Sequence, residues 1–297
     1  MHRESYYDVG QTIVSIPLHI TGFFAPYYGT GPLHTGSIGA GLVLTPGIIC
    51  NALPSCERAI VVNDEYCTIR PAWLILTQLP PIRLEIRTPV PIGAGYALSA
   101  CASLGAAFAS NSWTTLEAAK EAHKAEVLSL TGLGDVPAIF YGNGLTVRTR
   151  PGAPRFGEVK NIPTHRKLAI ITADLGRMET TSMLTKYSEK IAMYGKLAFG
   201  KFMKDPTLEN FLNTSRWFAS KVGFLNHNIE EALKPINSKI IGASVKKRVL
   251  FIAVDEDMAY DVASYVNDSF GNSRLFTPGG GIWMKKQFLQ TIQGTGR

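Results

Sequence analysis

The sequence has little cysteine and no pairing of it. Four of its 297 residues are cysteine, Cys50, Cys56, Cys67 and Cys101. None stands in a C-x-x-C pair, which excludes the usual spacing of zinc-ribbon and dithiol redox sites. No apolar run reaches the roughly 18 residues of a membrane-spanning helix, so no membrane contact is expected. The start, Met1-His-Arg-Glu-Ser-Tyr-Tyr-Asp8, lacks the apolar stretch of a secretory leader, and a cytoplasmic location is expected. Charge is sparse as well: 18% of residues are Asp, Glu, Lys or Arg, with a net charge of +7. The basic residues are scattered apart from Lys246-Lys247-Arg248, and no nucleic-acid motif or aromatic–basic interleaving accompanies them. This balance suits a small anionic ligand, and no nucleic-acid partner is expected. There is no internal repeat and no low-complexity tract.

What is present supports a folded core, with 45% of residues hydrophobic, in one large domain or two smaller ones. The first half alternates strand-like stretches with glycine-rich turns. Strands are expected over 12–21, 42–44, 60–62, 66–70 and 82–88, with a glycine loop at Gly36-Ser-Ile-Gly-Ala-Gly41. Helices are expected over 97–110 and 115–129, the second capped by Thr114 or Thr115 with Glu117 near its start. Residues 144–148 read as another strand. Arg150-Pro-Gly-Ala-Pro-Arg155-Phe-Gly157 is rich in turn formers and is the best candidate linker, which puts a domain boundary between residues 160 and 161. Beyond it, strands at 168–172, 239–241, 249–254 and 274–276 alternate with helices at 179–203, 208–222, 229–233 and 258–270. The first of these helices is expected to break near Gly195 and Gly200. The class is α+β.

Pro91-Ile-Gly-Ala-Gly-Tyr-Ala-Leu-Ser-Ala100 carries the most chemistry. It follows the strand-like 82–88 and opens a helix of small residues. Gly93 and Gly95 let backbone approach a ligand that a Cβ would hold away. The helix start behind them offers unpaired N–H groups and the positive end of the dipole. The segment is therefore a cradle for phosphate, with the Ser99 hydroxyl in the first helical turn. Without a ligand the same residues make a tight strand-to-helix turn. Thr131-Gly-Leu-Gly-Asp135 is a further loop opening towards a helix. With Pro137 just inside, Asp135 can cap that helix or face a substrate. Glu126 alone reads as part of a solvated helix face with Lys124, and His19 is a satisfied strand residue or a ligand contact.

The 91–100 segment resembles the second motif of the GHMP kinases, the galacto-, homoserine, mevalonate and phosphomevalonate kinase superfamily, usually P-x-G-A-G-L-G-S-S-A. Three further stretches fall in the superfamily's order. Pro17-Leu-His-Ile-Thr-Gly-Phe-Phe24 occupies the place of the N-terminal P-G-(K/R/H) segment. Glu126 precedes Gly132-Leu-Gly-Asp135, and Ile240-Ile-Gly-Ala-Ser244 sits where the third motif belongs. Within the superfamily, His19 to Phe24, Thr35 to Gly41, Thr131 to Asp135 and the run from Gly144 to Val159 are similar to the archaeal pantoate kinases. The resemblance implies two lobes, an N-terminal one like ribosomal protein S5 domain 2 (1–160) and a C-terminal ferredoxin-like α/β lobe (161–297). It implies phosphoryl transfer from ATP, with Mg²⁺, to the 4-hydroxyl of pantoate on the route to coenzyme A, by a cytoplasmic homodimer.

The resemblance also assigns roles. Pro91, Gly93, Ala94, Gly95, Tyr96, Ala97, Leu98 and Ser99 would bind ATP, and Ser99 with Glu126 would hold Mg²⁺. Asp135 would be the catalytic base, and His19 would take part in catalysis and touch substrate. Thr21, His34, Thr35, Ser37 and Arg155 are further candidate substrate contacts, with Arg148, Arg150 and Arg155 the cations nearest the motifs. Gly242 and Ala243 would support the active-site loops. Trp217 or Trp283 could serve a subunit interface. There are departures from the pattern. Ala97 and Leu98 replace a glycine and a serine, and Leu18 replaces a glycine. Ile38 stands where arginine is expected. Another cation must then meet the substrate carboxylate, or the acceptor is a different hydroxy acid or alcohol of the homoserine or mevalonate type. A relative that binds a small ligand without turnover is the third reading. The joint retention of Ser99, Glu126 and Asp135 argues against it.

Overall fold

The computed structural model describes residues 11–287 apart from Arg177 and Glu179. The chain opens with two long strands, β1 (Gln11–Tyr27) and β2 (Gly36–Pro54). After them come β3 (Ala59–Val62), β4 (Glu65–Tyr66), α1 (Arg70–Leu76), β5 (Ile82–Arg87), α2 (Leu98–Ala109), α3 (Thr115–Leu128) and α4 (Asp135–Tyr141). The middle of the chain forms β6 (Leu145–Arg150), β7 (Glu158–Ile162), β8 (Leu168–Asp174), α5 (Thr180–Phe202), α6 (Leu208–Val222) and α7 (His227–Leu233). It closes with β9 (Gly242–Lys246), β10 (Val249–Asp255), α8 (Ala259–Phe270), β11 (Arg274–Pro278) and β12 (Trp283–Gln287). The class is α+β, as the sequence pattern implies. No described helix is long and apolar enough to cross a membrane.

β2 organises the first half. One edge pairs antiparallel with β1 along most of its length, and the other meets β6, β11 and β5 in succession. β11 continues into a second antiparallel set, β11-β8-β10-β9, so one strand joins both halves of the sheet system. A buried aromatic chain reinforces that joint. Phe23 of β1 lies 5.6 Å from Phe202 of α5 and 6.1 Å from Phe211 of α6, which in turn contacts Phe251 of β10 at 6.4 Å. Each such pair contributes about 0.5–1.5 kcal/mol beyond area burial, which holds the two halves in one arrangement.

α2 packs close to the sheet because its residues are small. A Cβ at Gly105 would fall 2.2 Å from the Cys50 sulfur. Cys101 is buried in the same contact and donates to the Pro17 carbonyl at 3.3 Å. Every residue of α2 except Ser99 is buried. α3 begins with a capping box, in which Thr114 and Glu117 satisfy each other's backbone N–H groups at 3.4 and 3.1 Å.

Several expectations are corrected. Gly36 to Gly41 is not a loop but the first part of β2, where the glycines serve close approach: a Cβ at Gly41 would meet His19 Nε2 at 2.4 Å. Residues 66–70 are not one strand, since Arg70 already begins α1 with Pro71 in its first turn, where a missing N–H costs nothing. Of residues 150–157, Arg150 ends β6 and 151–157 form the turn to its paired strand β7, rather than a linker, and the boundary drawn at 160/161 falls within β7. α5 runs unbroken through Gly195 and Gly200; Gly195 is there because a Cβ would meet the Phe24 carbonyl oxygen at 1.9 Å. The strand expected at 239–241 begins instead at Gly242, after a 3-10 turn that ends at Lys239. β12, which extends the β1 edge, carries no clear sequence signal.

Candidate active site

A cleft of about 450 Å³ opens between the two halves, within the usual size of a small-ligand site. Its rim at one end is the glycine turn. Gly93 and Gly95 have φ of +83° and +137°, values open to glycine at little cost, and a Cβ on Gly93 would meet nothing. Ala97 takes a left-handed φ of +60° as the residue before α2 and offers no side-chain cap. The first N–H groups of α2 therefore keep their hydrogen-bonding capacity for a ligand. Ser99, the one residue of α2 not buried, lines the same wall.

Tyr96 anchors this turn to the other half of the molecule. Its hydroxyl donates to Asp174 Oδ1 at 2.7 Å and lies 2.9 Å from Thr172 Oγ1. Arg274 pairs with Asp174 and donates to the Pro89 carbonyl at 2.8 Å, just before the turn. Tyr96→Phe leaves the part-buried Asp174 carboxylate short of one donor. A loss of about 1–2 kcal/mol is expected, read as a lower Tm with a raised KM for nucleotide. An unchanged melting curve would show that the network does not hold the turn.

The segment Thr131–Asp135 forms the opposite wall, and each of its glycines admits a specific neighbour. A Cβ at Gly132 would sit 2.2 Å from Glu126 Oε2; one at Gly134 would sit 2.3 Å from Ser37 Oγ and 2.5 Å from Arg148 Nε. Glu126 thus turns inward from the last turn of α3, while Lys124 faces outward and pairs with Glu121 at 2.6 Å. Thr131 donates to Glu126 Oε1 at 3.0 Å, and buried Oε2 has no partner among the described residues. Burial and the nearby Asp135 charge push the Glu126 carboxyl up to about 8, against the Ser99 and Thr131 hydroxyls beside it.

Asp135 is the first residue of α4, and Gly134 precedes it, so its side chain does not cap the helix. Its Oδ1 accepts from His19 Nδ1 at 2.8 Å and from Thr21 Oγ1 at 3.2 Å. His19 is wholly buried behind Asp135 and does not line the cleft. Burial holds its imidazole below the ordinary value, which gives the neutral ring with a proton on Nδ1. Burial alone would raise the Asp135 carboxyl. The His19 hydrogen bond and the Lys246 and Arg148 charges outweigh it and hold the group well below the usual carboxylate range. With 22% of its side chain exposed, the carboxylate faces the cleft ionised.

The other sequence-derived candidates divide. Thr21, Ser37, Gly93, Gly95, Tyr96, Ala97, Leu98 and Ser99 line the cleft. Pro91 and Ala94 lie behind the turn, Thr35 is buried with its carbonyl bonded to His123 Nε2 at 2.9 Å, and His34 and Arg155 are exposed away from the cleft. Gly242 and Ala243 lie in β9, where a Cβ on Gly242 would press on Leu212 at 2.9 Å, and neither lines the cleft. The continuation of that strand, Lys246-Lys247, does. Of Arg148, Arg150 and Arg155, Arg148 is the one that reaches the cleft, buried to 2% exposure with Nε and Nη1 unpartnered among the described residues; exposed Arg70 lines the cleft as well.

A family model for the GHMP kinases N terminal domain matches residues 65–143. The chain is 29% identical to a pantoate kinase of Thermococcus kodakarensis over 297 aligned residues, covering 91% of this chain and 98% of that one. It is 32% identical to a pantoate kinase of Methanocaldococcus jannaschii over 223 residues, covering 72% and 81%. The chain belongs to the pantoate kinase family. A solved structure described as a phosphotransferase related to the CoA biosynthesis pathway matches with a TM-score of 0.83 at 25% identity, over 94% of this chain and 100% of that one.

Ile38, which stands where arginine is expected, lies off the site of this pantoate kinase relative. Ile38 pairs with Ala25, while Ser37 and Gly39 point to the other face of β2, where Arg148 pairs with Gly39. The Ile38 side chain is buried and does not line the cleft. The donor set also fits a divalent metal of the kind these kinases use. No cluster of three or more His, Cys, Asp or Glu residues is present among the described residues. One buried carboxylate with a free oxygen, beside a hydroxyl and a phosphate cradle, is the arrangement that Mg²⁺ favours, since it completes its shell with phosphate oxygens and water.

Proposed function

We propose that this chain transfers the terminal phosphoryl group of ATP to the 4-hydroxyl of pantoate. One juxtaposition carries the reading. An ionised Asp135 with Oδ1 already occupied shares the cleft with a glycine-and-helix phosphate cradle and with buried Arg148, whose Nε and Nη1 have no partner among the described residues. A hydroxy acid supplies both missing partners: its carboxylate meets Arg148 in bidentate fashion and its hydroxyl donates to Asp135 Oδ2. The N–H groups from Gly93 to Ser99 hold the phosphates, and Ile69, Pro71 and Ile92 give an apolar flank for the base. Ser99 and Glu126 would hold Mg²⁺, which when bound neutralises phosphate charge. Phosphoryl transfer asks mainly for positioning and charge neutralisation. Asp135 therefore orients the attacking oxygen and takes its proton late. His19 and Thr21 fix Asp135 from behind, which gives His19 a positioning role.

A cytoplasmic homodimer is the form this reading carries. Trp283, 55% exposed, is open to an interface, while Trp217 is covered by Tyr194 and Lys201. The test of function is ADP release with Mg-ATP against pantoate, homoserine, mevalonate, phosphomevalonate and shikimate. Turnover with pantoate far above the rest is expected. Preference for another acceptor would overturn the substrate, and silence across the panel with Mg-ATP still bound would overturn the activity.

A further inference from the structure

The cleft holds more buried positive charge than its own carboxylates answer. Arg148 comes from β6 in the first half, and Lys246 ends β9 in the second. They are 2% and 7% exposed. Lys246 has no carboxylate within 4.0 Å among the described residues; its ammonium rests 4.7 Å from the centre of the Phe24 ring, a cleft-lining residue. The charges that act on Lys246 are Asp135, Lys247 and Arg148, and Asp135 has already given one oxygen to His19 and Thr21. Lys247 belongs with the phosphate end instead, since both Asp135 and Glu126 act on it and its Cβ lies near the Gly95 position. Burial lowers the Lys246 ammonium to about 7 against the pull of Asp135, and a ligand anion beside it would hold the charge in place. Two such cations, one from each half, converge where the reading above places the acceptor.

We propose that Lys246 is an acceptor-binding residue that clamps the substrate carboxylate together with Arg148 and makes the site select hydroxy acids over neutral alcohols. The inference rests on the proposed kinase activity and adds to it the cation from the second half of the chain. Phe24 holds the ammonium in place while the acceptor is absent. Binding of the carboxylate then bridges β6 and β9 across the cleft, so the acceptor itself ties the two walls together.

The test compares pantoate with its neutral carboxamide as acceptors at saturating Mg-ATP, for the wild type, Lys246→Met and Lys246→Arg. Lys246→Met is expected to lower kcat/KM for pantoate about 30-fold, equivalent to about 2 kcal/mol, mostly through KM. Turnover of the carboxamide and the KM for ATP should change less than about 3-fold, since neither uses the ammonium. Lys246→Arg should recover most of the pantoate activity. A nucleotide-induced rise in Tm confirms that the variant is folded, and Lys246→Gln repeats the comparison if Lys246→Met fails it. Equal losses for acid and amide, or no loss for either, would overturn the proposal. So would a wild type that accepts the amide as well as the acid. A wild type inert towards every hydroxy acid would remove the kinase reading and this inference with it, and that outcome is read before any variant is made.

Discussion

Asp135→Asn is expected to lower kcat by about 10³-fold, within the usual 10²–10⁴ range for loss of a positioned proton acceptor, with Mg-ATP affinity unchanged. The substitution keeps size and shape, so α4 and the Thr131–Asp135 wall should stay in place. One side-chain oxygen remains to accept from His19 and Thr21, as Oδ1 does now. The atom left facing the cleft becomes an NH₂ donor, which cannot accept from the substrate hydroxyl. The loss should fall on kcat and not on the acceptor KM. Arg148 keeps its charge, and the acceptor carboxylate takes the place of Asp135 in holding the proton on Lys246, which burial lowers to about 7. Because His19, Lys246 and Arg148 hold the Asp135 carboxyl low, the group stays ionised throughout the physiological range. No acid limb from Asp135 should therefore appear in the pH–rate profile above about pH 5, well above the usual carboxylate range. Near-native turnover of the variant, or a rise in the acceptor KM as the main effect, would remove Asp135 from the position assigned to it.

The parts of this site that were legible in the sequence are the local ones. Gly93, Gly95 and Ser99 lie within one strand-to-helix turn, and Glu126 and Asp135 flank one short loop, so their spacing alone brings them to a common wall. The glycines were legible as glycines but not always as what they do. Gly36 to Gly41 reads as a loop, whereas Gly41 is a strand residue that makes room for the His19 ring. Gly132 and Gly134 read as turn formers, whereas they let Glu126, Ser37 and Arg148 press against the backbone. The cations were not legible. Arg148 reaches the cleft because β6 pairs with β2 at Gly39, and Lys246 because β9 pairs with β10 and ends beside the glycine turn. The first placement depends on strand register between residues about a hundred positions apart, and the second on a local hairpin docking against the distant Gly95 turn, which no local pattern encodes. Arg155, close to the motifs in sequence, is carried away from the site by the β6–β7 turn. The Tyr96–Asp174–Arg274 network is hidden for the same reason: its three members come from distant parts of the chain.

Glu126→Gln should lower turnover by about 100-fold or more, since a metal ion at transferring phosphate supplies several kcal/mol of charge stabilisation. The same variant separates a metal-binding carboxylate from a merely buried one by stability. Burial and the Asp135 charge raise the Glu126 carboxyl to about 8 in the metal-free protein, against an ordinary value of 4.5. Between those limits the folded state keeps a proton that the unfolded chain has released, so stability falls as pH rises through this window. The loss is absent below about pH 4.5, complete above about pH 8, and opposed by the Lys247 charge and by the Ser99 and Thr131 hydroxyls. A glutamine has no proton to lose, so Glu126→Gln should lose this falling contribution, leave the opposite trend of buried Lys246 and His19, and exceed the wild type at pH 8.5. Mg-ADP should reverse the order. It favours the ionised carboxylate and displaces its proton, so it should raise the wild-type Tm most at high pH and the variant's much less. Melting curves of both proteins at pH 5.5 and 8.5, with and without Mg-ADP, decide the matter. An equal Mg-ADP response in the two proteins would show that Glu126 is buried for packing alone, and the unpartnered Oε2 against Gly132 would then need another explanation.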